Sequence, residues 1–474
     1  MYTDITYQDW QLTPEWDRPE LLKKIIRQYK SSPEFRTALT ANLYFRSENP
    51  VVARKTILRA KKMEYKDANG RRRVKSGTVD VVGNRCASGF FFRFVTQQNQ
   101  FLLANGVTLE ESIKNSLGKD FDNRLEQLGE RALIQGVAWG FWNADHLEII
   151  EAAKDALSGA VALVDEQTSA PMVLVQFWQI GANRPMYVRL FTQEGVVCYR
   201  SSKDDREGLQ EIEGTRRPYI VHTVSDVLGT VEIGGSNYSR LPVMPLYASA
   251  EKRSELTPAI KEKIDAFDRI LSDFGDNLDR ANDVYWVLNN FGGTLDDVAE
   301  MLEQINRVKA VANLSDGTGT ASTAEPHTIE VPYAAREKAL DILEKQLYSD
   351  YMALDMDELT GGSLTNVAIR AATANINIKA DRYEWQVRDF VMNLLDLIGK
   401  PTDDIKFKRQ TIANESETVN DISLMRDYID QRKALELNPY INDEEIDEIM
   451  DRLAAESMAA APAPGTSNDK NEVI

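Results

Sequence analysis

The stretch from Ser254 to Gly293 reads SELTPAIKEKIDAFDRILSDFGDNLDRANDVYWVLNNFGG. Its apolar residues Leu256, Ile260, Ile264, Phe267, Leu271, Phe274 and Leu278 recur at steps of three and four, which draws one stripe along a helix of about six or seven turns. Lys261, Asp265, Arg269, Asp276 and Asp279 fall on the opposite face. The character then changes. DVYWVLNNFGG reads as a strand closed by Gly292 and Gly293, TLDDVAEMLEQINR as a short helix, and KAVANL as a strand. A glycine- and threonine-rich loop, SDGTGTASTAEP, leads to the strand HTIEVPY and then to a second helix with Leu340, Leu343, Leu347, Tyr351 and Leu354 on one side. A small α/β insertion therefore sits between two helices able to lie antiparallel.

Beyond the second helix stands LTGGSLTN, Leu359 to Asn366. A glycine turn feeding a helix N-terminus can cradle phosphate, but a P-loop needs a strand, the spacing GxxxxGK[ST] and then a helix. Neither LTGGSLTN nor SDGTGTAS carries that lysine, and a helix precedes the former. Gly361 and Gly362 instead permit a sharp reversal, and Ser363 or Thr365 can cap the next helix. Its pattern runs from Val367 to Ile398, roughly 48 Å long at about 1.5 Å per residue. One stripe runs Val367, Ala371, Ala374, Ile378 and another Ile369, Ile376, Tyr383, Phe390. Apolar residues on more than one side imply burial among several neighbours, copies of the chain included. Gly399 and Pro401 end the helix.

The first 250 residues read as mixed α/β. Residues 19 to 48 are helical in pattern, with a turn at Asn49-Pro50. Asp122 to Asn143 shows helical spacing through Leu125, Leu128, Leu133, Val137 and Phe141. PMVLVQFWQI, PMYVRLFTQEGVVCYR and PYIVHTV are β-branched and aromatic and read as antiparallel strands, and RLPVMPLYAS leads out of the sheet. At the far end ETVNDISLMRDYI forms a helix, and another starts at Asn442, where Glu445 completes a capping-box-like pair. The last stretch, AAAPAPGTSNDKNEVI, has too little apolar surface to fold.

The chain has 474 residues and a net charge of −18. Tight, general nucleic-acid binding draws on concentrated Lys and Arg, so this balance disfavours it while leaving room for a surface that DNA passes without sticking. No run of eighteen or more apolar residues occurs, and the N-terminus lacks the pattern of a signal peptide. Two cysteines and three histidines, all scattered, suggest neither a disulfide framework nor a metal site. No nucleophile and base pair stands out, so neither catalysis nor a cofactor is expected.

The order and wording of these segments resemble the portal proteins of tailed bacteriophages, of the type found in phages with long flexible tails. The resemblance is densest from Ser254 to Ile398, in SELTPAIKEKIDAFDRILSDFGDNLDRANDVYWVLNNFGG, IEVPYAAREKALDILEKQLY and GGSLTNVAIRAATANINIKADRYEWQ. It continues in ANLYFRSENPVVARKT, FVTQQNQFLLANG and ALIQGVAWG before that core, and in DISLMRDYI and NPYINDEEIDEIM after it. No single motif is as specific as a zinc-finger spacing; the collinear set carries the likeness.

The resemblance implies an α+β, mainly helical portal fold. Residues 1–253 would form the wing, 254–281 and 333–353 the two stem helices, 282–332 the clip, and 354–365 the channel loop. Residues 366–401 would form the long wing helix, 402–458 the crown and 459–474 a disordered tail. Similar proteins assemble as a closed ring of about twelve copies around a central channel. The implied partners are double-stranded DNA in the channel, the terminase large subunit, the major capsid and scaffolding proteins, and a head-completion adaptor. The loop residues that would face DNA are Asp355, Asp357, Glu358, Thr360, Gly361, Gly362, Ser363 and Thr365. The stem stripe from Leu256 to Leu278 would serve subunit contact. Tyr285, Trp286, Phe291, Leu295, Met301 and Leu302 would lie on the clip, against motor or adaptor. Asp341, Glu344, Asp350, Asp355, Asp357 and Glu358 outnumber the lone Lys345 in their stretch, and if those near the loop, Asp355, Asp357 and Glu358, face the channel, a ring of them would repel phosphate and let DNA slide. The remaining readings are another capsid-associated scaffold or tail component, and a nucleotide-handling enzyme.

Overall fold

A computed structural model describes residues 3–53, 55–66, 72–201, 208–226, 229–281, 285–289, 323–327, 333–356, 365–409, 415–425, 427–441 and 445–459. The fold is α+β and divides into two compact units, one of residues 1–353 with 379–409 and one of residues 354–378 with 410–474.

The first unit is built on two apolar cores. One lies under an antiparallel meander ordered β11-β10-β9-β8-β7-β6, from β6 (Ala153–Asp155), β7 (Ser158–Val164), β8 (Pro171–Gln179) and β9 (Met186–Thr192) to β10 (Gly195–Ser201) and β11 (Leu209–Glu211). PMVLVQFWQI and the hairpin PMYVRLFTQEGVVCYR are thus strands, as their branched and aromatic residues predict. Helices α2 (Arg18–Ser31) and α3 (Pro33–Phe45) supply Leu22, Ile25, Tyr29 and Phe35 to this core. Tyr29 and Phe35 meet edge to face at 5.1 Å between ring centroids, with Phe177 of β8 against both.

The second core gathers α5 (Phe90–Leu103), α7 (Phe121–Gln135), the start of α8 (Pro258–Ala281), the end of α9 (Tyr333–Tyr351) and residues 383–397 of α10 (Asn366–Leu397). A three-stranded sheet, β14 (Val243–Tyr247), β4 (Val137–Asn143) and β5 (His146–Glu151), lies beside it. Here the sequence reading of one helix through Phe141 is corrected. Gly136 takes φ +88° and ends α7, so Val137 and Phe141 belong to β4. A side chain at Gly136 would be strained by that φ and would bring its Cβ to 2.8 Å from the Ser254 nitrogen.

Two hairpins form sheets of their own: β1 (Thr56–Lys66) with β2 (Arg72–Val82), and β12 (Ile220–Asp226) with β13 (Gly229–Ser236). In the expected insertion, β15 (Tyr285–Asn289) pairs with β16 (Thr323–His327). The pairing from Tyr285 opposite His327 to Asn289 opposite Thr323 takes in the end of SDGTGTASTAEP and the first residue of HTIEVPY, while residues 328–332 of that run lie outside the described residues. TLDDVAEMLEQINR, KAVANL and Asn442 lie outside the described residues. In the second unit α11 (Glu415–Leu424), α12 (Gln431–Glu436) and α13 (Ile446–Ala459) come in turn. Gly399, at φ +74°, comes after α10 as expected of a helix-ending glycine.

Candidate functional site

Helix α8 holds two kinds of surface. Leu256, just before it, with Ile260 and Ile264 is buried in the second core. Phe267 is half-buried and stands edge to face with Phe90 at 4.9 Å; Phe274 meets Tyr333 of α9 at 5.8 Å. Leu271 is also half-buried, and Leu278 is 43% exposed. The stripe read from the sequence is therefore covered within the chain at its start and open at its end.

The buried line instead continues at steps of four through Asp268, Ser272 and Asp276. This corrects the placement of Asp276 on the solvent face, and its cause is an extended segment, residues 84–88, that runs along the helix. The backbone nitrogens of Asn84, Cys86 and Ser88 donate to Asp276 Oδ1 at 2.7 Å, Ser272 Oγ at 3.0 Å and Asp268 Oδ1 at 2.9 Å. Four helical residues advance about 6 Å, and two extended residues advance about 6.6 Å. The two repeats match closely enough for three consecutive bonds. Lys55 adds ion pairs to Asp273 at 2.8 Å and Asp276 at 2.6 Å, and Asn49 donates to the other oxygen of Asp268. Burial pushes the Asp268 carboxyl above its usual range, against the pull of the bonds from Asn49 and Ser88.

At the other end of α8, Lys379 of α10 ties three elements together. Its Nζ lies 2.7 Å from Glu255 Oε2, donates to the Tyr351 carbonyl at 2.9 Å, and sits 3.2 Å from the centroid of the Tyr351 ring. The lysine side chain is 13% exposed and the glutamate 16%. Burial pulls the ammonium below the usual lysine range, while Glu255 opposes that shift. Tyr351 is held in turn, its hydroxyl donating to Gln98 Oε1 at 2.8 Å and its ring stacked on Phe94. Burial raises its pKa well above the usual tyrosine value, so it is a neutral donor. A cleft of about 1140 Å³ opens alongside, with Arg382 and Trp385 on its wall. Neither the clasp nor the polar line stood out in the sequence. Its one signal was the regular step of four from Leu256 to Asp276, apolar at first and then small and polar.

Of the loop residues, Asp355 and Thr365 are described; Asp357, Glu358, Thr360, Gly361, Gly362 and Ser363 lie outside the described residues. Thr365 caps α10 as its sequence position suggested, accepting from the Ala368 nitrogen at 3.3 Å. Asp350, one of the six acids of the stretch that ends at Glu358, is ion-paired with Lys263 of α8. Tyr285 and Trp286 open β15, whereas Phe291, Leu295, Met301 and Leu302 fall outside the described residues.

The two stripes of α10 differ. Ile369, Ile376, Tyr383 and Phe390 are all buried. Val367, Ala371, Ala374 and Ile378 are exposed, Val367 at 74%, and the same side continues through Trp385, 65% exposed, and Met392. Among the described residues only one side of α10 is covered, which leaves the second side of the expected burial to other neighbours, copies of the chain included.

The model of the family "Phage portal protein, SPP1 Gp6-like" matches residues 28–459. The chain belongs to this portal protein family. A portal protein of Clostridium phage phiCD119 is 22% identical over 430 residues, 86% of this chain and 90% of that protein. The portal protein of Bacillus phage SPP1 is 23% identical over 457 residues, 90% of this chain and 84% of that one. The family is structural rather than enzymatic, and its members are virion components. No helix among the described residues of this portal-family chain is long and apolar enough to cross a membrane.

Proposed function

We propose that this chain assembles as a closed ring of about twelve copies at one vertex of a phage capsid, and that double-stranded DNA moves along its axis during packaging and ejection. The observation that carries the reading is the uncovered apolar side of α10. A chain that buries Ile369, Ile376, Tyr383 and Phe390 leaves Val367, Ile378, Trp385 and Met392 in water. Exposed apolar surface in such a line marks a contact with a partner. A heterologous contact repeated around a closed rotation covers every copy at once.

Under this reading residues 1–253 are the wing, 254–281 and 333–353 the stem, and 282–332 the clip, with 354–365 the channel loop, 366–401 the long wing helix, 402–458 the crown and 459–474 the tail. The clip residues Tyr285, Trp286, Phe291, Leu295, Met301 and Leu302 meet first the terminase large subunit and later a head-completion adaptor. The wing meets major capsid and scaffolding proteins. Asp355, Asp357 and Glu358 present repelling charge to DNA beside Thr360, Gly361, Gly362, Ser363 and Thr365. The open end of the stem stripe, with Leu271, Phe274 and Leu278, faces the next copy. Assembly takes place in the host cytoplasm before the ring enters the virion.

The mass of the purified full-length particle tests this. Wild-type protein is expected as a closed ring with an axial hole in projection images, and Ile378→Glu with Trp385→Glu is expected to run at lower mass with its helix content kept. A wild type that stays monomeric at high concentration, or forms open fibres, refutes the ring. A double variant that still closes refutes the role of α10.

A further inference from the structure

The charge of this chain is unevenly placed. Strands β1 and β2 hold seven bases, Arg59, Lys61, Lys62, Lys66, Arg72, Arg73 and Lys75, against two acids, Glu64 and Asp80. The rest of the chain therefore stands at −23, five charges below the whole-chain −18. Six of the seven bases fall within the six register pairs from Lys61 opposite Gly77 to Lys66 opposite Arg72, a length of about 20 Å. Opposed residues in an antiparallel pair share a face. Arg59, Lys61, Arg73 and Lys75 thus share one face with no acid, while Lys62, Lys66 and Arg72 share the other with Glu64 and Asp80.

The ribbon is a two-stranded sheet of its own, an arrangement that is marginally stable in water by itself. Its base is nonetheless anchored. The Gly83 nitrogen donates to the Lys55 carbonyl at 3.4 Å, and Lys55 and Asn84, on either side of the hairpin, both bind Asp276 of α8. A strongly basic ribbon is thus rooted on a helix of an otherwise acidic chain.

We propose that the β1–β2 ribbon is a contact for the phosphate backbone of double-stranded DNA. Concentrated charge of one sign is the footprint of a polyanion partner, and the major groove admits a two-stranded ribbon between its phosphate walls. The acidic remainder repels a duplex, which confines the contact to the ribbon and keeps it weak enough to release. The choice of DNA over an acidic protein rests on the portal reading, which brings a duplex to this chain.

Binding of a fluorescent random-sequence duplex to the full-length protein, followed by anisotropy across a salt series, tests the proposal. Four phosphates neutralised give a log–log slope of about −3.6, or roughly a hundredfold loss of affinity between about 50 and 200 mM salt. Changing Arg59, Lys61, Arg73 and Lys75 together to Thr is expected to flatten the slope by about 0.9 for each phosphate no longer neutralised. If that variant loses its circular-dichroism signature, the single changes Lys61→Glu and Lys75→Glu carry the same readout. No binding by wild type, an unchanged slope in the variants, or equal competition by polyglutamate overturns the proposal; the last makes the ribbon a site for an acidic protein. Particle mass on the same samples separates the two readings. Closed rings that do not bind the duplex sink this inference alone, whereas absence of rings sinks the portal reading whatever the duplex does.

Discussion

Lys379→Met isolates the clasp between α8, α9 and α10. The substitution keeps side-chain length and apolar stem but removes the ammonium from Glu255 Oε2, from the Tyr351 carbonyl and from the face of the Tyr351 ring. Glu255, 16% exposed, is then left as a carboxylate without its cation. Removing one partner of a buried pair costs about 3–5 kcal/mol, chiefly from the charge left behind. The broken bond to a buried carbonyl, about 1 kcal/mol, falls within that range. Replacing both partners, Glu255→Leu with Lys379→Met, removes the stranded charge and is expected to return to within about 1 kcal/mol of wild type. The coupling in the double-mutant cycle should therefore be about 2 kcal/mol or more.

Urea unfolding at fixed protein concentration measures this, since self-association shifts apparent stability by mass action. A pH series adds a signed readout. Burial lowers the Lys379 pKa in the fold, so the unfolded chain binds more protons between that lowered value and the ordinary lysine range. Wild-type stability should then rise with pH across that window relative to Lys379→Met. A single variant within about 0.5 kcal/mol of wild type, or strictly additive substitutions, would refute the view of Lys379 as a buried, paired cation.

Two further outcomes are expected. Changing Asp355, Asp357 and Glu358 together to Lys should reduce the DNA packaged per head, because the loop then attracts phosphate; unchanged packaging and retention would refute a repelling role. For Asp268, burial raises the carboxyl pKa, so the fold binds more protons than the unfolded chain between the ordinary Asp range and the raised value. The stability of wild type relative to Asp268→Asn should accordingly fall as pH rises through that window, and a difference that grows with pH in urea titrations contradicts the assignment.

Much of the architecture was legible because its determinants are local. The meander announces itself in alternating branched and aromatic runs, and α10 in its cap at Thr365 and its stop at Gly399. The error at α7 was also local. Val137 and Phe141 continue a helical spacing by coincidence, while the left-handed Gly136 between them and Leu133 carries the real boundary. Periodicity alone does not register a change of backbone handedness, so the glycine outranks the spacing there.

The site was less legible, since its defining bonds join residues far apart in the chain. On α8 the reading by threes and fours chose Phe267, Leu271 and Phe274, the widest apolar residues available. The structure keeps to steps of four and buries Asp268, Ser272 and Asp276, because residues 84–88 bring backbone donors that only oxygen acceptors satisfy. A hydrophobicity pattern expects a buried line to stay apolar, and this one turns polar where its partner turns from side chains to bare backbone. The same exchange explains the half-open apolar stripe. With its buried face given to the 84–88 segment, the later part of α8 leaves Leu271 half-buried and Leu278 exposed, on a side that the described residues do not fill. The polar line and the uncovered apolar line are thus two consequences of one choice of face. That choice roots the basic ribbon on the same helix whose open stripe we assign to the next copy.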